Sequence, residues 1–557
     1  MPVYAATTFS PVQDFIEKSR KLRDLYGGSI IISHLSARLV KAALAHNIDI
    51  ISPGMPNFPT GMPNRILLKN NYFDSNNQEF QEWLENWTNT TILVEWKKVL
   101  TECQNWIQEA IPETTLKINY TWQREWLLWG NHTWEIFWGA GNTIPEAMED
   151  LEDRKLSRNW TATNWIGESS SLTGTDAIAW PGLADKDRNP INLNYEDEKP
   201  EIKKFYEILA EKLETKNANS KKEEEIEGKF IDPNERLSIP ELTKRLVTQH
   251  QIRKRLELRY LESFTDIVRK PEPEKNQPGQ WTGWFMGDGD RVGKCLKKLA
   301  ELPDAEEQIR HFSEEMRKWG RKFMNGFNNP RKVKQGRVIY AGGDDFLGVI
   351  YRTPQNPVQP IEALEWLKTL PEQWKTLPEY WKTLPEQRKT LPEQWKKHSC
   401  DITLSVGFVW AAPSVPQRDV LQHCRTAEKK AKKLGRDRLT IRVLFNSGRF
   451  IDWTCPWDYL HILDDYRDRE GGKNWTHVYN DLEQLKARHA IKPRPESNNT
   501  EIENTNLKLA LALINLYFQN QGDKIKQDRK KLVDDNSSEK LLNWISDLIL
   551  VGWQMCS

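Results

Sequence analysis

The stretch RVIYAGGDDFLGVI, residues 337–350, constrains the chain more than any other. Two apolar runs flank Gly342-Gly343-Asp344-Asp345, so the segment reads as a buried β-hairpin with glycines and carboxylates at its tip. Gly and Asp are ordinary turn residues, and a solvated tip would carry the same letters. Adjacent carboxylates nevertheless repel each other unless a cation stands near them. Either the aspartates are turn residues in water or they hold metal.

The surrounding pattern gives the hairpin a setting. WTGWFM reads as a strand running into GDGDRVGK, and Ile309, Phe312, Met316, Trp319, Phe323 and Phe327 form one apolar helix face. After the hairpin, PIEALEWLKTL is helical and CDITLSVGFVWAA is a strand. Val420, Cys424, Ala427, Ala431 and Leu434 stripe another helix, and RLTIRVLF is a last strand before a mostly helical C-terminal region. The order β-α-β-β-α-β with an added helix and strand is a ferredoxin-like unit with an extension.

In such a unit the first strand ends beside the turn between the next two. Asp288 then reaches the same edge as Asp344 and Asp345. Three carboxylates without thiol or imidazole are hard oxygen ligands, suited to Mg²⁺ or Mn²⁺. Gly342 and Gly343 leave room for a phosphate or ribose beside the backbone. The arrangement suits two-metal phosphoryl or nucleotidyl transfer. RVGK after Asp290 offers backbone N–H groups and Lys294 near a helix start, a place for phosphate. Lys432, Lys433 and Arg436 in EKKAKKLGRDR are either a phosphate contact or a solvated face.

Elsewhere the chain is plainer. Its 557 residues suffice for about three or four domains of roughly 150 residues each. The net charge of +1 excludes a uniformly basic nucleic-acid coat. A strand, VYAATTF, precedes a helix over Val12–Leu25 with Pro11 at its start; Gly27-Gly28 is expected to break it before a second helix. Residues 52–64 read as a loop, and 190–235, poor in apolar residues, as a solvated linker. Most of the 25 tryptophans are expected in the core, many of them between 83 and 165. LKLALALINLYF, 507–518, is too short to cross a bilayer and suits a buried helix. The six cysteines form no CxxC pair, which suggests neither a disulfide framework nor a zinc site and fits a cytoplasmic protein without a membrane partner. Residues 367–394 hold four near-identical seven-residue copies, LKTLPEQ to RKTLPEQ. A proline in each argues against one continuous helix and for kinked turns or an extended arm in a tolerant loop.

GDGDRVGK, AGGDDF and AEKKAKKLGRDRLTI resemble the palm of GGDEF-type cyclases and, more closely, the second palm of the large subunit of type III CRISPR effector complexes. SPVQDFIEKSRKLRDLYGGSIIISHLS with MPNRIL at 62–67 is similar to the first palm of the Cmr-type (III-B) large subunit. The resemblance spans roughly 1–450. It implies an α+β chain with two ferredoxin-like palms: a first, non-catalytic palm at 1–135, a helical domain at 136–279, a catalytic palm at 280–446 and a C-terminal helical domain at 447–557. It also implies synthesis of cyclic oligoadenylate from ATP, triggered by target RNA within a complex of other type III-B subunits and crRNA. Asp288, Asp344 and Asp345 would be catalytic and hold Mg²⁺ or Mn²⁺ with the Gly289 carbonyl. Gly289, Asp290, Lys294, Gly342, Gly343, Lys432 and Arg436 would bind the nucleotide.

Two departures stand out. The sequence contains no His-Asp dipeptide, so no HD-type DNase activity is expected in it. Ser170, Thr173, Ser238 and Glu241 stand where family members often carry zinc-binding cysteines, so no structural zinc is expected. Two other functions stay open: a scaffold that binds nucleotide without turnover, and a stand-alone diguanylate cyclase or polymerase. The duplicated palm argues against the last.

Overall fold

The computed structural model describes residues 3–56, 61–71, 77–112, 120–158, 167–183, 196, 198–214, 230–258, 267, 269–271, 279–327, 336–353, 355–374, 402–491, 500–535 and 537–557. The chain divides into two compact units, Met1–Ile267 with Lys297–Lys318 and Val268–Leu296 with Trp319–Ser557. It is an α+β chain built on two ferredoxin-like sheets with helical regions between and after them.

The first unit carries strands β1 (Tyr4–Ser10), β2 (Asp49–Ser52), β3 (Arg65–Lys69) and β4 (Glu135–Gly141), in the order β2-β3-β1-β4 with every pairing antiparallel. β4 was not separated from the tryptophan-rich stretch in the sequence, because Trp134 and Trp138 fit a helix face as well as a strand. Of the described tryptophans there, Trp87, Trp96, Trp106, Trp122, Trp126, Trp134 and Trp138 are buried core residues as expected, whereas Trp83 and Trp129 are half-buried.

Gly27-Gly28 does not break the helix. One helix runs Leu22–Ala45, while the interruption falls earlier, after Val12–Glu17. The glycines serve packing. A Cβ on Gly27 would lie 1.7 Å from the Lys244 carbonyl oxygen, so the helix Ile239–Leu246 approaches at backbone distance. Leu22–Ala45 is long and apolar enough to cross a membrane by length and composition, and Leu25, Ile31, Leu35 and Leu39 are buried in this unit.

Charge is buried here in compensated form. Arg245 meets Asp24 through Nε and Nη2 at 2.8 and 2.9 Å, and Glu235 through Nη1 at 2.6 Å. Burial alone would raise the Asp24 carboxyl; Arg245 instead holds it down at about 2. Lys244 donates to the carbonyls of Phe15, at 2.9 Å, and of Lys18, and burial pulls its ammonium down to about 8.

The four positions expected to have lost a metal come together. The Ser170 and Thr173 hydroxyls donate to the two oxygens of Glu241 at 2.5 and 2.9 Å, and the Ser238 N–H donates to the same carboxylate at 2.8 Å. Hydrogen bonds to one carboxylate thus join the two arms of the module. The segment read as a solvated linker contains a helix, Lys199–Glu214, because Ile202, Phe205, Tyr206 and Leu209 supply a buried face. Of its other residues, 190–195, 197 and 215–229 lie outside the described ones.

The second unit carries β5 (Thr282–Gly289), β6 (Gly336–Ala341), β7 (Asp345–Ile350), β8 (Leu404–Ala411), β9 (Arg438–Leu444) and β10 (Phe450–Pro456). The order is β10-β9-β8-β5-β7-β6. β5 to β8 form the ferredoxin-like core; β9 adds in parallel to β8 and β10 antiparallel to β9. β10 was missed, since Asp452 and Pro456 spoil its apolar run. Its signal was the turn Asn446-Ser447-Gly448 between two extended runs. Asp452 pairs across the strands with Arg442 at 2.6 Å and also meets Lys430 at 2.7 Å.

The helix Pro360–Trp374 contains the first repeat copy and continues through its Pro371. Leu367, Leu370 and Trp374 are buried, and the Trp374 indole donates to the Ile402 carbonyl at 3.2 Å, so packing offsets the proline. The remaining copies lie outside the described residues. LKLALALINLYF belongs to the helix Thr500–Tyr517 and the residue after it, with Leu507, Ala510, Ile514, Tyr517 and Phe518 buried. Cys103, Cys424, Cys455 and Cys556 are free, and Cys295 is disulfide-bonded.

Candidate active site

The acid edge follows from strand register. β5 and β7 pair so that Gly287 faces Phe346 and Asp288 faces Asp345. A Cβ on Gly287 would lie 2.1 Å from the Phe346 ring, so the glycine makes room for the ring that anchors the hairpin. Phe346 is buried against Trp319 and Phe323 at ring distances of 5.7 and 5.2 Å. The Gly289 N–H donates to the Asp344 carbonyl at 2.8 Å, which ties the end of β5 to the hairpin tip. Gly342 donates to the Asp345 carbonyl at 3.2 Å, and a Cβ on Gly343 would meet nothing within 4 Å. The tip is closed by its own backbone and open at Gly343.

These carboxylates are under-compensated. Burial pushes Asp344 up to about 7, and Asp345 and Asp288 push it the same way. Burial and then Asp288 push Asp345 up to about 6. Burial also raises Asp288, opposed by Lys432. Lys432 is the cation on hand. Its Nζ lies 2.8 Å from Asp288 Oδ1 and 2.7 Å from Glu428 Oε1. Burial would lower the Lys432 ammonium, but its two carboxylate partners hold it up. Glu428, buried one helical turn before Lys432 on the helix Gln417–Lys433, is a member of this group that the sequence reading missed; the i,i+4 spacing was its signal.

Among the described residues no three Asp, Glu, His or Cys side chains are already gathered into a metal cage. The expected trio is instead a cross-strand pair, Asp288 and Asp345, with Asp344 beside it and an ammonium against Asp288. The donor set still fits a divalent cation. It is all oxygen, it is partly shielded from water, and its raised carboxyls carry charge that one lysine does not offset.

The protein-family comparison gives two matches. Residues 282–440 match Cas10/Cmr2, second palm domain, and residues 4–113 match the N-terminal region of the CRISPR-associated protein Cmr2. Residues 282–440 are thus a palm domain of the Cas10/Cmr2 type. No curated protein matches the chain's sequence. Among solved structures, this chain is similar to one in the apo-state cryo-EM structure of type III-B Cmr-beta, with 11% identity and a TM-score of 0.51 over 99% of this chain and 81% of that one. A chain of the Csm1-Csm4 cassette in complex with cA4 gives 13% identity and a TM-score of 0.48, covering 100% and 70%. Csm1 in T. onnurineus gives 11% and 0.45, covering 99% and 69%. The likeness to the Cmr-beta chain is one of fold.

The remaining expected site residues of this Cas10/Cmr2 palm divide. Arg436 is exposed, sits in a left-handed conformation with φ of 66° just after the helix that carries Lys432, and acts electrostatically on Asp288. Lys294 is exposed on the first turn of Val292–Ala300 and enters no ion pair among the described residues. Asp290, expected to touch nucleotide, is 1% exposed and turned into the protein, where its oxygens accept from Thr403, Ser405 and the Asp437 N–H. The structure therefore brings Asp288, Asp344, Asp345, Lys432 and Arg436 to one edge, with Gly289, Gly342 and Gly343 as its backbone, and leaves Asp290 and Lys294 out of it.

Proposed function

We propose that this chain is the large subunit of a type III-B effector complex and that its second sheet makes cyclic oligoadenylate from ATP when target RNA is bound. The observation that carries the reading is the Asp288–Asp345 pair with Asp344 adjacent: carboxyls raised by burial and by one another, on the edge of a palm domain. Asp288, Asp344, Asp345 and the Gly289 carbonyl would hold Mg²⁺ or Mn²⁺. When bound, such ions lower the pKa of an attacking hydroxyl and offset the charge of the departing pyrophosphate. Gly342 and Gly343 give the nucleotide clearance. Lys432 and Arg436 face the phosphates, and Lys432 exchanges its Asp288 contact for them. Companion subunits and crRNA supply the rest of the assembly.

One observation favours a second reading. Lys432 already neutralises Asp288, so a chain that keeps this contact would bind nucleotide without turnover. Incubating the assembled complex with target RNA, ATP and Mg²⁺ or Mn²⁺ separates the two. Oligoadenylate from the wild type, and its loss by about 100-fold or more in Asp344→Ala/Asp345→Ala, is the expected result. ATP binding without product would leave the scaffold; undiminished product in the double variant would remove the assignment of these residues.

A further inference from the structure

Asp290 carries more than its burial. It follows β5 directly, two residues after Asp288, and its own N–H donates to the Thr403 carbonyl at 2.8 Å. Its Oδ1 accepts from the Ser405 hydroxyl at 2.7 Å. Its Oδ2 accepts from the Thr403 hydroxyl at 2.8 Å and from the backbone N–H of Asp437 at 3.0 Å. The third donor belongs to a turn in which three successive residues, Gly435, Arg436 and Asp437, have φ of 119°, 66° and 50°. Two of those are not glycine, and side-chain-bearing residues hold such a conformation only where the surroundings over-determine it. Asp290 supplies one of those constraints. Arg438 supplies another, since its guanidinium donates to the carbonyls of Arg436, Lys531 and Leu532.

We propose that Asp290 is a positioning residue that fixes the cationic Arg436 turn against the acid edge of β5, so that one nucleotide meets the Asp288 carboxylate and the Arg436 guanidinium at a set spacing. The proposal rests on the nucleotide reading of the site for its consequence, but the brace itself is a property of the fold. The carboxylate form matters. Three donors converge on two oxygens, and an asparagine would turn one N–H donor toward them. Thr403 and Ser405, just before and on β8, make the brace three-cornered: β5, β8 and the turn are joined through one side chain.

The test uses the full chain in its complex, with Asp290→Asn, Arg436→Ala and the double variant. Amide exchange over 434–438 should speed up by about tenfold in Asp290→Asn, while exchange over 450–456 stays unchanged. KM for ATP should rise by about tenfold with kcat within about twofold, and Asp290→Asn should add less than about twofold to Arg436→Ala, since both act through one contact. Unchanged exchange at the turn overturns the brace. Full multiplication of the two effects, or a fall in kcat alone, overturns the positioning role. If Asp290→Asn does not fold, Ser405→Ala removes one donor only and should show the same pattern at smaller size. If the wild type turns over no ATP, the nucleotide reading has failed and the exchange measurement alone decides the brace.

Discussion

In the first sheet the pairing of the first strand with the third ends at Thr8 opposite Arg65; in the second, the corresponding pairing ends at Asp288 opposite Asp345. Both sheets have the same core order, and both put the first residue of the third strand at that position. Residues 53–64 connect β2 to β3, whereas only Gly342, Gly343 and Asp344 connect β6 to β7. Arg65 leaves the sheet for an exposed pairing with Glu152 at 2.7 Å. The fold therefore asks for no acid at this edge. Buried charge differs in the same sense. In the first unit Arg245 lies between Asp24 and Glu235, and Asp24 is held far below the usual carboxylate range. In the second, Asp344 and Asp345 are held above it. A carboxyl pushed down is charged by the fold itself; one pushed up waits for a cation from outside.

The sharpest way to break this contrast is to write the first sheet's residue into the second. Asp345→Arg should lower oligoadenylate formation by about 100-fold or more, whereas Arg65→Asp should leave it within about twofold, both read as product from the assembled complex. Next in size is close packing in the first unit. Gly27→Ala should cost about 3 kcal/mol in denaturant unfolding, because its methyl meets the Lys244 carbonyl rather than a pliable side chain. Glu241→Ala should cost about 2 kcal/mol, since it strands the Ser170 and Thr173 hydroxyls. A zinc-selective chelator should leave the wild-type unfolding transition where it is, and one zinc per chain by metal analysis would contradict that.

The smallest effect is one of pH. Lys244 is lowered from 10.5 to about 8, so between those values the unfolded chain binds more protons than the folded one, and stability rises with pH. From pH 8 to 9 the wild type should gain about 1 kcal/mol relative to Lys244→Met. An equal pH dependence in the two proteins would remove the assignment. Asp24 acts at the other end: its contribution is complete above about 4 and fades as pH falls toward 2.

Much of the second sheet was legible because each strand of its core is a short apolar run next to a turn signal, and because the acid tip has few alternative uses. The parts that escaped did so for physical reasons. Gly27-Gly28 looks like punctuation, but a helix can keep glycine where another backbone needs the space. Pro371 looks like a helix break, but Leu370 and Trp374 are buried on either side of it. The helix Lys199–Glu214 hides in a charged stretch because four well-spaced apolar residues suffice for one face. Asp288 and Asp290 read alike in GDGD, and no pattern in the letters says that one faces the open edge and the other three internal donors.

The cross-strand position of Asp288 and Asp345 also bears on how such a chain can change length. A strand slipped by one residue presents its other face, so an insertion in the three-residue tip would unpair the carboxylates along with the core. The crossover between Trp374 and β8 sets no register: Trp374 is fixed to Ile402, and β8 takes its alignment from β5. The first seven-residue copy ends inside the helix Pro360–Trp374, and the other three run on from Trp374 into that crossover. Because Trp374 is held to Ile402 and β8 to β5, removing one copy should leave Asp288 opposite Asp345, which marks this segment as a place to graft a tag or an added domain.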